Sequence, residues 1–453
     1  MPTFTRKSTI TCPADEVFAW HTRPGAFQRL SPPWRDVEVV RSSGSIAPGS
    51  EVELLLRVLG PVRLRWLLRH GELLKNELFT DDQVKGPFKS WQHRHSFIPH
   101  SDSLSTMLDE VDYELPLFAR PFGSLFTNEL QRLFDFRHAV LTSDLRIHSR
   151  YRGMPRKRIL VAGSSGFVGS ALVPFLSAAG HEVFRLVRRE PDSPDERFWN
   201  PDGADLSPEV FKGIDVVIHL GGEGIASGSW TEARKTQLRS SRINSTTLLA
   251  LTIASLMEKP QTVIVASGAG FYGDTGVTAP DETIPAGSGF LAELAAEWEQ
   301  AAQPIADAGV RLVNLRIGAV LNSRGGALKK MLPAFRLGLG GTLGSGKQRM
   351  GWIALQDLLG LIEHSIFTES LSGPLNAVAP EVITNREFTK ALGRRLRRPT
   401  IFPVPAPLLR LIFGELADAA LLANSATSAR KAIASGYSFL FPEIDEALRF
   451  EVA

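Results

Sequence analysis

The sequence lacks the features that mark secreted and membrane proteins. Cys12 is the only cysteine among 453 residues, which excludes an intrachain disulfide and a thiolate zinc cluster. No run approaches the roughly 20 consecutive apolar residues of a membrane helix. Residues 1–18 lack the basic and then apolar order of a signal peptide. We therefore expect a protein without a membrane span in the reducing cytoplasm.

The sequence also lacks an excess of charge of one sign. Its 51 lysines and arginines are nearly balanced by 48 acidic residues, and the two kinds are interspersed. Because nucleic-acid binding requires clustered basic residues, we expect no nucleic acid as a partner. Apolar residues make up 43% and charged residues 22%, as in globular proteins. The length predicts two or three domains.

Residues 1–150 show patterns typical of an antiparallel α+β domain. Helical patterns cover 14–29 and 125–141. Alternating or β-branched apolar residues predict strands at 37–40, 51–56, 62–68, 90–97 and 105–114. This order predicts a helix-grip fold, in which a curved sheet wraps a long C-terminal helix around an apolar cavity. A domain with an ordinary filled core is the alternative.

Two short segments add a family resemblance to this pattern. Residues 10–20, ITCPADEVFAW, and residues 111–113, VDY, resemble the polyketide-cyclase and START-like lipid-transfer superfamily. The resemblance implies that the N-terminal domain binds an apolar ligand. Residues 151–157 are polar and basic with Gly and Pro, and we interpret them as a linker.

Strands and helices alternate after the linker. Continuous apolar strands are predicted at 158–162, 182–187, 215–220, 262–266 and 311–317, with helical patterns between them. Alternation of this kind is typical of a parallel sheet covered by helices on both faces. We therefore predict a Rossmann-type α/β fold with a doubly wound parallel sheet.

A glycine-rich turn follows the first of these strands and opens a helix. Its glycines have the spacing GxxGxxG. The first permits a tight turn, the second lets the backbone approach a pyrophosphate, and the third lets helix and strand pack closely. The start of the helix also offers N–H groups to phosphate. We predict a dinucleotide site, with a packing turn as the alternative, at Gly163, Ser165, Gly166, Phe167, Val168 and Gly169.

The end of the second strand indicates which dinucleotide binds. An acidic residue at this place would bind the ribose 2′-hydroxyl of NAD, whereas here Arg188 and Arg189 follow Val187. A guanidinium fork suits a 2′-phosphate. NADP(H) is therefore favoured, with NAD(H) and a merely solvated arginine pair as the alternatives.

Several motifs resemble the extended short-chain dehydrogenase/reductase superfamily, and more narrowly its epimerase-like family. They lie at 217–223, 240–243, 267–273, 315–321 and 338–348. The resemblance implies an NAD(P)-binding domain over 158–399, a small C-terminal extension over 400–453 and a small-molecule substrate. It also implies that Ser267 lies near the nicotinamide. It places four residues beside the cofactor ribose: Leu220, Gly221, Gly222 and Glu223.

The tyrosine–lysine pair of these enzymes is missing, since no tyrosine has a lysine four residues later. Gly268 stands where related enzymes place a hydroxyl, and Arg242 stands where they place an asparagine. Proton transfer requires a titratable group near the reacting oxygen. Our catalytic candidates are Ser267, Tyr272 and Lys235, with packing or surface contacts as the alternative for the last two.

His93 and His95 share one face of a predicted strand, but no Asp or Glu precedes them within it. We therefore expect no metal site. Two functions fit the sequence as a whole. One is an NADP-dependent oxidoreductase or nucleotide-sugar-epimerase-like enzyme with unusual acid and base residues. The other is a non-catalytic NADP(H)-binding sensor or carrier with an apolar-ligand cavity.

Overall fold

The computed structural model describes residues 2–35, 37–59, 62–226, 228 and 230–452. The chain divides into two compact units. The first comprises Met1–Pro155 with Pro174–His181, and the second Arg156–Val173 with Glu182–Ala453. No helix within the described ranges is both long enough and apolar enough to cross a membrane.

The first unit is built on an antiparallel sheet. Its strands are β1 (Thr3–Ile10), β2 (Val37–Ser42), β3 (Glu51–Leu59), β4 (Val62–Leu74), β5 (Leu78–Lys85), β6 (Ser90–Ser101) and β7 (Leu104–Glu114). Among the described residues they lie in the spatial order β1-β7-β6-β5-β4-β3-β2. Strands β2 to β7 therefore form a meander, and β1 pairs with β7 at its far edge. Strand β5, with two aspartates in LFTDDQVK, has no counterpart in the sequence-based prediction.

Helices α1 (Ala14–Thr22) and α2 (Ala26–Leu30) connect β1 to β2, and α3 (Gly123–His148) follows β7. The single helix predicted over 14–29 is wrong, because Pro24 lacks an N–H and Gly25 adopts a φ of +93°. Helix α3 extends beyond the predicted 125–141, and its residues Leu145 and Ile147 are buried. The predicted helix-grip order of elements is confirmed.

The second unit contains a parallel sheet. The strands of this unit are β8 (Arg158–Ala162), β9 (Glu182–Val187), β10 (Glu196–Phe198), β11 (Val216–His219), β12 (Thr262–Gly268), β13 (Arg311–Ile317), β14 (Ala319–Leu321), β15 (Arg349–Met350), β16 (Trp352–Ala354), β17 (Gly373–Ala377) and β18 (Ile383–Thr384). The main sheet has the order β10-β9-β8-β11-β12-β13-β17 in the part of the chain that the structure describes. The predicted Rossmann-type sheet is confirmed, with β10 and β17 as added edge strands.

Helices alternate with these strands. They are α4 (Gly169–Ala178), α5 (Glu232–Ser255), α6 (Phe290–Asp307), α7 (Gly326–Arg336), α8 (Leu355–Phe367), α9 (Asn385–Leu396), α10 (Ala406–Phe413), α11 (Arg430–Ala434) and α12 (Ile444–Glu451). The strand order reverses between β8 and β11, since β9 lies on one side of β8 and β11 on the other. Ligands bind at the carboxyl ends of strands at such a reversal, which directs attention to the residues after β8 and β11.

Candidate functional site

The turn after β8 has the backbone geometry that a phosphate-binding turn requires. Gly163 adopts a φ of +81°, and a Cβ there would lie 2.8 Å from the backbone nitrogen of Gly221. A Cβ at Gly169 would overlap the carbonyl oxygen of Gly163. The Gly166 N–H donates to that same oxygen over 3.0 Å and closes the turn. Gly166 and Ser165 are themselves exposed, so this cradle presents accessible backbone to a pyrophosphate.

Phe167 and Val168 are half-buried residues of the same turn. The Leu172 N–H donates to the Val168 carbonyl over 2.9 Å and begins the helical pairing. The Phe167 ring lies so close to Gly325 that a Cβ at position 325 would overlap it. Of these two predicted cofactor residues, Phe167 therefore packs against Gly325, and Val168 takes part in the first helical hydrogen bonds through its backbone.

The segment after β11 lies directly beside this turn. The Leu220 N–H donates to the Ala162 carbonyl over 2.9 Å, which extends the β8–β11 pairing by one residue. Gly222 has a φ of +156°, and a Cβ there would lie 3.1 Å from Cζ of Arg242. Leu220, Gly221 and Gly222 thus lie beside the glycine turn, directly after the end of β11.

Arg242 fixes the position of Glu223. Its guanidinium donates to the Glu223 carbonyl over 2.8 Å and lies 5.0 Å from the Trp298 ring centroid. Burial lowers the pKa of Arg242 to about 10, so it keeps its charge at neutral pH. The Glu223 carboxylate lies 3.4 Å from Arg234. Arg242, at the place of the usual asparagine, therefore acts on the backbone of the cofactor-side loop.

The two arginines after β9 have different environments. Arg189 makes a bidentate ion pair with the buried Glu196, with distances of 2.6 and 2.8 Å. Arg188 is exposed and has no hydrogen bond or ion pair with any residue that the structure describes. In the β8–β9 register Leu186 lies opposite Ala162, so Arg188 is at the same sheet edge as the turn. Among the described residues, Arg188 is thus the member of the pair whose guanidinium has no partner.

Ser267 lies in a buried polar network at the carboxyl end of β12. Its hydroxyl donates to Oε1 of Glu299 over 2.8 Å. Arg316, opposite Ser267 in the β12–β13 register, donates to both oxygens of that carboxylate over 2.8 Å each. Glu299 therefore contacts Ser267 on one side and forms a charge-assisted bidentate pair with Arg316 on the other.

Tyr272 belongs to the same network. Its hydroxyl donates to Oδ1 of Asn376 and accepts from Nη1 of Arg316, each over 2.8 Å. Burial raises the pKa of Tyr272, although Arg316 opposes this effect. The structure thus brings Ser267 and Tyr272 together through one guanidinium. It also leaves the phenol with both a donor and an acceptor partner inside the protein.

Lys235 lies in another part of the unit. It is on α5, 3.3 Å from Glu232, and forms a second ion pair with Glu415. The hydrogen bond to Glu415 raises the pKa of Lys235. Within the described residues none of its polar contacts reaches Ser267 or Tyr272, so the three catalytic candidates do not form one cluster.

The sequence analysis missed Glu299 as a site residue, and it also missed Arg316 and Asn376. Both lie on the buried sheet, Arg316 on β13 and Asn376 opposite it on β17. Charged and amide side chains inside otherwise apolar strands are costly to bury without partners. The arginine within the apolar run LVNLRIG is the sequence feature from which this network could have been predicted. Strand β17, which carries Asn376, was not predicted.

The first unit has a cavity of about 390 Å³ between its sheet and helices. Its walls include apolar side chains, among them Leu30, Ile46 and Phe79, and also the polar side chains of Asp81, His93 and His95. Although burial alone lowers it, Asp81 and Asp109 raise the pKa of His93 to about 9. The cavity is therefore lined by both apolar and charged side chains, and the predicted cavity of the helix-grip domain is present.

Comparisons with known families match three segments of the chain. Residues 159–366 match the NAD dependent epimerase/dehydratase family. Residues 10–136 match polyketide cyclase / dehydrase and lipid transport, which confirms the START-like resemblance. Residues 404–451 match a domain of unknown function, DUF1731.

Individual relatives agree with these matches. An epimerase family protein of Mycobacterium bovis is 41% identical over 292 residues, 64% of this chain and 96% of the relative. The human epimerase family protein SDR39U1, solved with NADPH, is 35% identical with a TM-score of 0.60, covering 65% of this chain and 98% of that one. A nucleoside-diphosphate sugar epimerase from Corynebacterium glutamicum is 31% identical with a TM-score of 0.80, covering 99% of this chain and 90% of that one. The chain described here therefore belongs to the epimerase family.

Proposed function

We propose that the protein is an NADP(H)-dependent enzyme that oxidises, reduces or epimerises a small-molecule substrate, with a nucleoside-diphosphate sugar as the first class to test. The observation that carries the cofactor part is Arg188, the exposed guanidinium without a partner beside the glycine turn. The human relative solved with NADPH supports the same cofactor. The sugar class comes from the Corynebacterium glutamicum relative, whose match extends over both units.

The chain's own residues have separate tasks in this proposal. The backbone of Gly163 to Gly169 binds the pyrophosphate, Arg188 binds the 2′-phosphate, and residues 220–223 line the ribose. Bound NADP(H) supplies the hydride donor or acceptor. The protein then has only to orient the substrate and to move a proton at the reacting oxygen.

We assign the proton transfer to Ser267 and Glu299 in place of the missing tyrosine–lysine pair. Ser267 Oγ lies at a strand end and already donates to Glu299 over 2.8 Å. A substrate hydroxyl would give its proton to Ser267 Oγ, and Ser267 would at the same time pass its own hydroxyl proton to the Glu299 carboxylate. Tyr272 remains a candidate, but its hydroxyl is engaged by Arg316 and Asn376, which favours a positioning role.

The second candidate function is a non-catalytic NADP(H)-binding sensor or carrier with an apolar ligand in the N-terminal cavity. The engaged Tyr272 hydroxyl favours it, because that hydroxyl already donates its proton to Asn376. The cavity of about 390 Å³ suits a ligand of moderate size.

The two functions differ in turnover. The full chain is loaded with NADPH or NADP⁺ and mixed with nucleoside-diphosphate sugars and simpler aldehydes and ketones. Nicotinamide absorbance reports net redox, and proton NMR reports epimerisation without net redox. Conversion that Ser267→Ala abolishes, with NADPH affinity unchanged, supports the enzyme. Tight NADPH binding with no conversion of any substrate class supports the sensor or carrier.

A further inference from the structure

Two histidines lie between two aspartates in the wall of the N-terminal cavity. In the sheet register Asp81 on β5 is opposite His93 on β6, and His95 is opposite Asp109 on β7. Residues directly opposite, and residues two apart on one strand, share a face of the sheet. His93, His95 and Asp109 are all buried, and Asp81 is half-buried. Three neighbouring strands thus place four chemistry-bearing side chains on one surface.

Asp109 contacts one ring nitrogen of each histidine from within the protein. Its Oδ1 lies 3.0 Å from Nε2 of His93 and 2.7 Å from Nδ1 of His95. Its Oδ2 lies 2.6 Å from Nε2 of His138, which comes from α3. A buried carboxylate that contacts one nitrogen of an imidazole fixes the ring and directs the other nitrogen.

The other two nitrogens face Asp81 at the cavity, and at longer range. Oδ2 of Asp81 lies 3.3 Å from Nδ1 of His93 and 3.4 Å from Nε2 of His95. Charge-assisted hydrogen bonds are shorter, about 2.7–2.9 Å. Ligand atoms bound at the usual distances to one tetrahedral zinc ion are about 3.3 Å apart. One ligand atom from each of the three residues lies within 4.8 Å of the other two.

We propose that Asp81, His93 and His95 bind a divalent transition-metal ion of the zinc class. Two imidazole nitrogens and one carboxylate oxygen are the donor set of open zinc and non-haem iron sites. Asp109 serves as the outer carboxylate that orients both histidines. The bound dication also offsets the negative charge of the Asp81 and Asp109 carboxylates. Arg137, which lines the same cavity, is a further positive charge.

The remaining coordination position faces the cavity. The three ligands line it together with apolar walls, so a molecule bound there would present a donor atom to the metal. His21 lies near, with a ring-centroid distance of 5.9 Å to His95. Its Nδ1 donates to the Val17 carbonyl over 2.8 Å, which leaves the lone pair on Nε2. The site therefore suits an apolar ligand with an oxygen head group.

The experiment uses the full chain after treatment with a chelator. Zn²⁺ is titrated by calorimetry, and Co²⁺ is added as a spectroscopic probe. We expect one ion per chain, visible d–d bands of low-coordinate Co²⁺, and an X-ray absorption spectrum of the zinc protein with two imidazole ligands. Added azide should shift the cobalt bands, because one position is open.

Variants assign the ion to these residues. Asp81→Asn and His93→Gln should weaken Zn²⁺ binding by more than about 10-fold, and Asp109→Asn by about 10–100-fold with altered cobalt bands. His100→Gln is the matched control, because His100 is exposed on the same strand and contacts Thr106. Circular dichroism reports whether each variant is folded.

Several outcomes would overturn the proposal. They are the absence of stoichiometric Zn²⁺ binding, equal losses in His100→Gln and His93→Gln, or an absorption spectrum without imidazole ligands. The absorption spectrum comes from the unmodified chain, so the proposal stays testable even where a variant does not fold. Cobalt bands that do not shift when azide is added would contradict the proposal that one coordination position of the metal is open.

Discussion

Arg316 and Tyr272 contact each other at the centre of the candidate site. Nη1 of Arg316 donates to the Tyr272 hydroxyl over 2.8 Å, and the same guanidinium lies 3.4 Å from the centroid of the Phe271 ring. Arg316 also holds the carboxylate that Ser267 contacts. The Arg316 guanidinium thus links two of the catalytic candidates, the Tyr272 phenol directly and the Ser267 hydroxyl through Glu299.

Tyr272→Phe should act mainly on stability. The change removes the phenol oxygen and leaves buried polar atoms of Arg316 and Asn376 with one partner fewer, which costs about 1–3 kcal/mol. Urea unfolding measures this loss. Turnover should fall by less than about 10-fold, whereas a fall of about 10²–10⁴-fold with unchanged NADPH affinity would identify Tyr272 as the general acid.

Arg188→Ala should weaken NADPH binding selectively. Loss of one charge-assisted contact with the 2′-phosphate costs about 1.5–3 kcal/mol, or about 10- to 100-fold in affinity. Calorimetric titration with NADPH and NADH measures both constants. Arg189→Ala is the control, because Arg189 is already paired with Glu196. Equal losses for NADPH and NADH in Arg188→Ala would contradict the role in phosphate binding.

Glu299→Gln should abolish turnover and destabilise the second unit. The substitution keeps the size of the side chain but leaves the buried Arg316 charge without its carboxylate, and breaking such a pair costs about 3–5 kcal/mol. Glu297→Gln is the matched control two residues away, since Glu297 pairs with Arg239 at the surface. That change should cost less than about 1 kcal/mol. Similar unfolding midpoints for the two variants would argue against the buried network.

His219 should make stability fall in mild acid. Burial, with a smaller contribution from Arg242, lowers the pKa of His219 from about 6.5 to about 4. In the unfolded chain His219 therefore binds a proton below about pH 6.5, whereas in the folded chain it binds one only below about pH 4. This difference does not change the free energy of unfolding above pH 6.5. As the pH falls to 4, it lowers the free energy of unfolding by about 3 kcal/mol. Chemical unfolding at several pH values should show a shallower fall for His219→Gln than for the unchanged protein.

Limited digestion with trypsin tests the proposed boundary at residues 151–157. Residues 152–156 are exposed, and basic residues provide cleavage sites there. We expect an early N-terminal fragment of about 150 residues that keeps its circular dichroism spectrum. Earlier cleavage at many positions within 158–450 would place the boundary elsewhere.

Local sequence patterns were sufficient for the α/β sheet and the glycine turn. The five predicted parallel strands correspond to β8, β9, β11, β12 and β13, because each is an apolar run between turn signals. The edge strands β10 and β17 were missed, since one has three residues and the other begins with Gly-Pro. The spacing GxxGxxG indicated the turn, because nearby backbone atoms leave little room for a side chain at these positions.

The sequence by itself therefore determined the fold class, the glycine turn and the absence of a tyrosine–lysine pair, all of which are local in the chain. Only the tertiary structure decided which side chains meet. Ser267, Glu299 and Arg316 come from three elements. The choice between Arg188 and Arg189 depends on the pairing of Arg189 with Glu196 on the neighbouring strand β10. Likewise, the expectation of no metal site relied on β6 alone, whereas Asp81 reaches His93 from β5. Pairing register is set by packing over the whole sheet, which single-strand patterns do not contain.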